Sequence, residues 1–350
     1  MDSPKISVVM AVYNGEEKLC KTIESVLNQT YQNFELVIID DCSTDATTAV
    51  IKSSDDPRIV TIRNATNIGQ TRSLNIGFAH SRGLYIARTD AGDVSFPKRF
   101  EKQVAYLDEH LDVAVVGSGA VRFDPRGKVI DVVHMPQDIL QMRQKAVTMG
   151  PLIHISTMMR KGVIMEVGGY YPGYDISADF ELWSKLLRGG YRLANIQEVL
   201  AGYEVSTASF GSINRSNKVF KETSQIMQSN ILAFAKRSVS LKQAEDLYRF
   251  FMLDLDMLTR DEIAGAACLY TEVMATLAMS RRDVHYHLLR KYIKYFFNHL
   301  RAPWRRDLWY VVRALLGVSD GFFSRSGIAD DLNRKWQGVL WRRTKNIWNY

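Results

Sequence analysis

The chain alternates short, nearly unbroken apolar runs with segments whose apolar residues recur at helical spacing. Ile6 to Val12 is interrupted only by Ser7, the pattern of a strand covered on both faces. Leu19, Ile23, Val26 and Leu27 then fall on one helical stripe, and Asn14 is a suitable cap for that helix. Phe34 to Ile39 reads as a second buried strand, with Ser43, Thr44 and Asp45 as cap types for the next helix. Arg58 to Arg63 alternates as a third strand, Asn67-Ile68-Gly69 is a turn, and a helix begins near Gln70. Leu84 to Ala87 and Asp112 to Ser118 make further strands. Between them a helix starts at Pro97 and carries Phe100, Val104, Leu107 and Leu111. Strands and helices alternating at this spacing predict an α/β fold with a largely parallel sheet.

Two acidic clusters sit just past predicted strands: Asp40-Asp41-Cys42-Ser43-Thr44-Asp45, and Asp90-Ala91-Gly92-Asp93. In an open α/β sheet that edge is where ligands bind. Carboxylates gathered there suit a ligand whose charges are bridged by a metal, such as a nucleotide diphosphate. An Asp at a strand-to-helix turn also serves to satisfy free helix N–H groups, and for Asp40 and Asp45 that reading stays open.

In order and wording these motifs resemble the family 2 glycosyltransferases over about residues 4–210. That family has the GT-A fold, a Rossmann-like, mostly parallel sheet with helices on both faces. The resemblance implies that Ala11, Tyr13 and Asn14 hold the base and ribose of a nucleotide-sugar donor and that Asp41 binds the nucleobase. Asn67, Gly69 and Arg72 map near the diphosphate. Asp90-Ala91-Gly92 maps to the Asp-x-Asp motif, which binds a divalent metal through the donor's phosphates. Asp179, in Ala178-Asp179-Phe180-Glu181-Leu182-Trp183, maps to the catalytic base, and the first turn of a helix favours its ionised form. His154 belongs to a Pro-x-x-His-x-Ser segment and reads as a group supporting the site from behind.

The chain departs from the family pattern at three places. Gly92 stands where the second Asp of Asp-x-Asp belongs, which leaves Asp93 as the neighbouring metal ligand beside Asp90. Ala178 replaces the Glu of the family's Glu-Asp pair. Tyr203-Glu204-Val205-Ser206 replaces a Tyr-Arg-x-His segment, so no donor contact carries over from its Arg or His. An oxygen-only metal site of this kind suits Mg²⁺ or Mn²⁺.

The mechanism implied is a single inverting displacement, with Asp179 taking the proton from an acceptor hydroxyl on a glycan or lipid-linked acceptor. The donor is expected to be a UDP-sugar. A rival reading is a catalytically weak nucleotide-sugar-binding subunit of a polysaccharide assembly complex, favoured by the three departures. A doubly wound dehydrogenase is set aside, because the turn after the first strand has only Gly15 and no Gly-x-Gly-x-x-Gly.

Length and charge add a second region. The 350 residues exceed one such domain, and the sequence divides into a GT-A domain over 1–215 and a helical, basic, Trp-rich region over 216–350. Residues 281–350 hold 15 Lys and Arg against 5 Asp and Glu, a net of +10, whereas the whole chain is +7. Five of the six Trp also fall there, from Trp304 to Trp348. Basic residues mixed with aromatics suit peripheral contact with an anionic membrane. The same features describe an ordinary helical domain with Trp in its core, and that alternative stays open. No nucleic-acid module is recognisable, and no nucleic-acid partner is expected. No secretory signal or membrane span is expected. Cys20, Cys42 and Cys268 have no metal spacing and suit a reducing compartment. By family analogy the expected place of work is the cytoplasm, at the inner face of the plasma membrane, in bacterial cell-surface polysaccharide synthesis.

Overall fold

The protein is described from a computed structural model covering residues 3–205, 217–252 and 257–279. Residues 281–350, and with them the expected membrane contact, lie outside the described residues. Strand β1 (Ile6–Val12) is buried along its whole length, as is β2 (Phe34–Asp40). Both have parallel neighbours along their edges and helices packed on each face, so neither face meets water. On one side β2 pairs with β3 (Ile59–Arg63), and on the other β1 pairs with β4 (Tyr85–Arg88), all in parallel.

Beyond β4 the sheet becomes mixed. β8 (Met158–Arg160) runs antiparallel between β4 and the long β6 (Val113–Phe123). β6 also pairs with β7 (Val129–Val133) in antiparallel and with β9 (Arg192–Glu204) in parallel, and the short β5 (Val94–Ser95) closes the row antiparallel to β9. The order is β3-β2-β1-β4-β8-β6-β9-β5, with β7 beside β6. The six strands β3, β2, β1, β4, β6 and β9 share one direction. The chain steps outward from β1 to β3 and returns on the other side of β1 at β4, a topological switch point where open α/β sheets form a ligand crevice.

Helices cover both faces. Ile6, Val8 and Met10 of β1 meet Leu19 and Ile23 of α1 (Glu16–Leu27), Ile51 of α2 (Thr47–Ser53) and Phe100 of α4 (Arg99–Glu109) in one core. On the opposite face α3 (Gln70–His80) lies so close that a β-carbon on Gly77 would stand 2.5 Å from Val9 Cγ1 and 2.6 Å from Ile39 Cδ1. Only glycine lets that helix reach the sheet. Helices α5 (Ile139–Ala146), α6 (Lys161–Glu166) and α7 (Ala178–Arg188) complete this part.

Helices α8 (Asn217–Ala235) and α9 (Leu241–Met252) follow the sheet. Residues 1–251 form one compact unit and 252–350 another. Within the first unit Asn230 of α8 is buried and bridges two elements, donating to Ser184 Oγ at 2.8 Å and Ala146 O at 2.6 Å. In the second unit α10 (Arg260–Thr276) opens with a capping box, Thr259 N donating to Glu262 Oε2 at 2.8 Å. Among the described residues no helix is long and apolar enough to cross a membrane.

Candidate active site

The turns that leave β1 and β2 hold each other. Asn14 does not cap its own helix: it adopts φ +50°, Gly15 takes the cap position, and Asn14 Oδ1 accepts from Thr44 N at 2.9 Å. Across the gap Asp45 Oδ2 accepts from Glu16 N at 3.2 Å, and Glu16 Oε2 accepts from Ala46 N at 2.7 Å. Each turn thus satisfies free N–H groups at the start of the other's helix. Asp40 is fully buried, accepting from Ser43 N at 2.8 Å, Thr48 Oγ1 at 2.8 Å and Arg63 at 2.9 Å. Burial alone would raise its carboxyl, but the Ser43 contacts lead the group that holds it below its ordinary value. Asp41 accepts from Ile68 N at 3.0 Å, Gly69 N at 2.9 Å and Asn64 Nδ2 at 2.7 Å, so it fixes the loop before α3. Asn67 is exposed on that loop, and Arg72 on α3 donates to Ile68 O at 3.3 Å.

The turn after β4 stands on a buried arginine. Arg88 is wholly enclosed and donates to Val9 O at 2.6 Å, Asp90 Oδ1 at 2.5 Å and His154 Nε2 at 3.1 Å. Asp90 Oδ1 also accepts from Gln70 at 2.9 Å, while 27% of the Asp90 side chain stays exposed. Burial would raise this carboxyl; Arg88, with His154 and Gln70, holds it below its ordinary value and therefore ionised. Asp93 faces the other way. It is buried, accepts from Asp90 N at 2.9 Å and is raised well above its usual range, by burial first and then by Asp90. His154 is pushed down to about 3 by burial and then by Arg88, so its ring is neutral. Its Nε2 also faces the Tyr170 hydroxyl at 2.6 Å.

Asp179 lies in the first turn of α7, accepting from Phe180 N at 2.7 Å. Burial pushes its carboxyl up to about 6; Asp90 adds to the rise, and Phe180 N–H and Arg88 oppose it. The segment leading into α7 is held from α8: the buried Glu222 accepts from Asp175 N at 3.2 Å, Ile176 N at 3.1 Å and Ser177 N at 2.9 Å. Nothing in the sequence pattern marks Glu222, because its partners are backbone groups about 45 positions earlier. Arg88 carried a faint signal, a cation at the end of an apolar strand two residues before an Asp.

A cavity of about 550 Å³ opens at the switch point. Ala11, Tyr13, Asn14, Asp41 and Asp90 line it, so the structure brings these five expected donor residues together. Asn67, Arg72, Asp93, His154 and Asp179 are not on its wall. His154 and Asp179, each half-buried, stand with the buried Arg88 and Tyr170 next to Asp90. Among the described residues no cluster of three or more His, Cys, Asp or Glu is arranged to hold a metal alone. At the second acidic turn the protein offers one half-buried, ionised carboxylate to the cavity, Asp90. That fits Mg²⁺ or Mn²⁺ of the kind held by one or two carboxylates plus substrate phosphates and water.

Residues 7–168 match the family model described as Glycosyl transferase family 2. EpsE of Bacillus subtilis (strain 168), provisionally named a glycosyltransferase, is 38% identical over 206 residues, spanning 56% of this chain and 72% of EpsE. WfaP of Escherichia coli, named a UDP-Glc:alpha-D-GlcNAc-diphosphoundecaprenol beta-1,3-glucosyltransferase, is 29% identical over 241 residues, 68% of this chain and 87% of WfaP. Two solved structures share the fold. S. aureus TarS 1-349 in complex with UDP-GlcNAc has a TM-score of 0.56 at 15% identity, covering 89% of this chain and 91% of that one. Mannosyltransferase PcManGT from Pyrobaculum calidifontis, in complex with GDP-Man and Mn2+, has a TM-score of 0.54 at 15% identity, covering 93% and 89%. The chain belongs to glycosyltransferase family 2, and it is a glycosyltransferase of GT-A fold.

Proposed function

We propose that the protein is an inverting glycosyltransferase that moves a sugar from a UDP-sugar to a hydroxyl of a glycan or lipid-linked acceptor in cell-surface polysaccharide synthesis. The observation that carries this reading is the meeting of Tyr13, Asn14, Asp41 and Asp90 on one cavity wall, with the Asp179 carboxyl, lifted to about 6, within the electrostatic reach of Asp90. A base with its pKa just below the working pH is mostly ionised yet still basic enough to take a proton. Tyr13, 50% exposed, offers a ring face to the base, and Asp41 an acceptor to its N–H edge. Asp90 would hold Mn²⁺ or Mg²⁺ together with the donor's phosphates; when bound, the ion supplies charge to stabilise the leaving diphosphate.

The acceptor hydroxyl attacks the anomeric carbon from the face opposite the diphosphate while Asp179 takes its proton. The C–O bond to the phosphate breaks, and the nucleoside diphosphate leaves with the bonding pair. No covalent enzyme intermediate is needed. The UDP-GlcNAc complex of TarS and the name of WfaP support a UDP-sugar and a lipid-linked acceptor, and the Mn2+ complex of PcManGT supports a divalent ion. A lipid-linked acceptor puts the reaction at the inner face of the plasma membrane.

The test is turnover of a panel of nucleotide sugars with a diphosphoundecaprenol-linked glycan, with Mn²⁺, Mg²⁺ or EDTA, reading the product's anomeric configuration by NMR. Metal-dependent transfer with inversion from a UDP-sugar supports the reading. Retained configuration, or transfer only from another nucleotide, overturns the corresponding part.

A further inference from the structure

The cavity has a charge problem. Among the described residues its wall carries five carboxylates, Glu16, Glu17, Asp41, Asp45 and Asp90, and one cation, Lys18. A nucleotide sugar brings a doubly charged diphosphate into this acidic wall, where like charges at short range are costly. Arg72, expected to meet the diphosphate, is off the wall.

Lys18 comes from the exposed side of α1 and is half exposed. Its Nζ sits 3.0 Å from Glu204 Oε1, at the end of β9. Its stem lies along the second acidic turn: a β-carbon on Gly92 would stand 3.2 Å from Lys18 Cδ and 3.7 Å from Lys18 Cβ. Gly92 is also at φ +104°, where a side chain is strained. The loss of the second Asp from Asp-x-Asp and the presence of a lysine stem in that space therefore belong together. An Asp at position 92 would push the stem aside.

We propose that Lys18 binds the donor's diphosphate, exchanging Glu204 for a phosphate oxygen when the donor binds. This rests on the nucleotide-sugar reading above. The ammonium is a compact charge on a flexible stem, suited to swing between two anions. Its ion pair with Glu204 joins an exposed ammonium to a half-buried carboxylate still open to water and so is weakly held, whereas a phosphate oxygen in the cavity accepts a charge-assisted bond. Lys18 thus supplies the donor with a positive charge from the protein, whether or not Asp90 holds a metal.

The test is calorimetric titration of the full chain in EDTA, with UDP, GDP, CDP, ADP and dTDP. The tightest diphosphate and its parent nucleoside are carried forward to Lys18→Met and Glu204→Gln. The expected results are a diphosphate affinity about tenfold weaker in Lys18→Met, with nucleoside binding unchanged, and a tighter diphosphate in Glu204→Gln. Wild-type diphosphate affinity in Lys18→Met, or equal loss of diphosphate and nucleoside, overturns the phosphate contact. No gain in Glu204→Gln overturns the exchange. Failure of the wild type to bind any diphosphate or nucleoside in EDTA and again in Mn²⁺ overturns the donor reading itself; binding only in Mn²⁺ overturns the metal-independent contact of Lys18.

Discussion

The two acidic turns at the cavity are built from the same parts in opposite order. After β2 the first carboxylate, Asp40, is sealed inside and tied to Ser43, Thr48 and Arg63, while the second, Asp41, reaches the cavity. After β4 the first, Asp90, reaches the cavity and the last, Asp93, folds beneath it onto the Asp90 N–H. Each turn uses one acid to shape the backbone and leaves one for a ligand. Position within the motif does not decide which. Nor does a neighbouring cation: Arg63 stands beside the sealed Asp40, and Arg88 beside the cavity-lining Asp90. Loss of function should therefore follow Asp41, Asp90 and the carboxylate beyond both turns, Asp179, while Asp40 and Asp93 should matter for stability.

The largest effect is expected at Asp179. Asp179→Asn should lower transfer about 10²–10⁴-fold while nucleotide affinity stays within about twofold. Equal loss of both would remove Asp179 from the role of base. Its raised carboxyl also fixes a pH dependence: the base is protonated below its pKa, so log kcat/KM should fall with unit slope as pH drops through about 6 and level off above it. A profile flat to pH 5 would contradict this. Asp90→Asn comes next. It keeps an oxygen for Arg88 and Gln70 but removes the charge, and transfer should drop about 10²–10³-fold. The Mn²⁺-dependent part of nucleotide affinity should disappear with it. If that part survives, Asp90 does not hold the ion.

The alternating strands and helices, and the sheet edge on which the acids gather, were legible because burial on both faces leaves continuous apolar runs. Of the mixed half only β6 was, as the expected strand from Asp112 to Ser118. β8 has three residues and β5 two, too short for a periodicity to register. Donor-side residues Tyr13, Asn14, Asp41 and Asp90 could be named from spacing and family wording, and they meet on one wall. The buried frame behind them could not. Arg88 reads as an ordinary charge until β8 and β1 enclose it. Glu222 lies beyond residue 215, yet it caps the segment before α7 through backbone N–H groups, which leave no trace in side-chain pattern. Asn14 shows the converse error: a good cap residue whose side chain serves the neighbouring helix.

Asp41 separates ligand binding from turn building less cleanly than Asp90, since it also holds Ile68 N and Gly69 N. Asp41→Ala should weaken nucleotide affinity about tenfold and cost about 1–3 kcal/mol of stability for the donors left unpaired. Asp40→Asn, its neighbour, should lower stability with nucleotide affinity unchanged. Unfolding midpoints paired with titration calorimetry distinguish them; a nucleotide defect in Asp40→Asn would undo the contrast within this turn.

The smallest effect is expected at Asp93, and it is the sharpest test of the second turn. Its one structural bond is accepted from Asp90 N, and an Asn oxygen accepts equally well. Asp93→Asn should thus keep transfer within about twofold and match the wild type's stability to within about 1 kcal/mol near pH 4, where both side chains are neutral. The sign of the pH dependence is set by its raised carboxyl, pushed up to about 8 by burial and then by Asp90. The folded protein holds this proton more tightly than the unfolded chain, whose carboxylate titrates near 3.9. The stability it contributes is full below about pH 4 and is lost as pH rises toward 8. Asn has no proton to lose, so Asp93→Asn should gain on the wild type in thermal midpoint between pH 5 and pH 8. Were Asp93 instead an ionised partner of the buried Arg88 and Arg99, the variant would lose about 3–5 kcal/mol and fall further behind as pH rises. Were it a metal ligand, transfer would drop with Asp93→Asn as it does with Asp90→Asn.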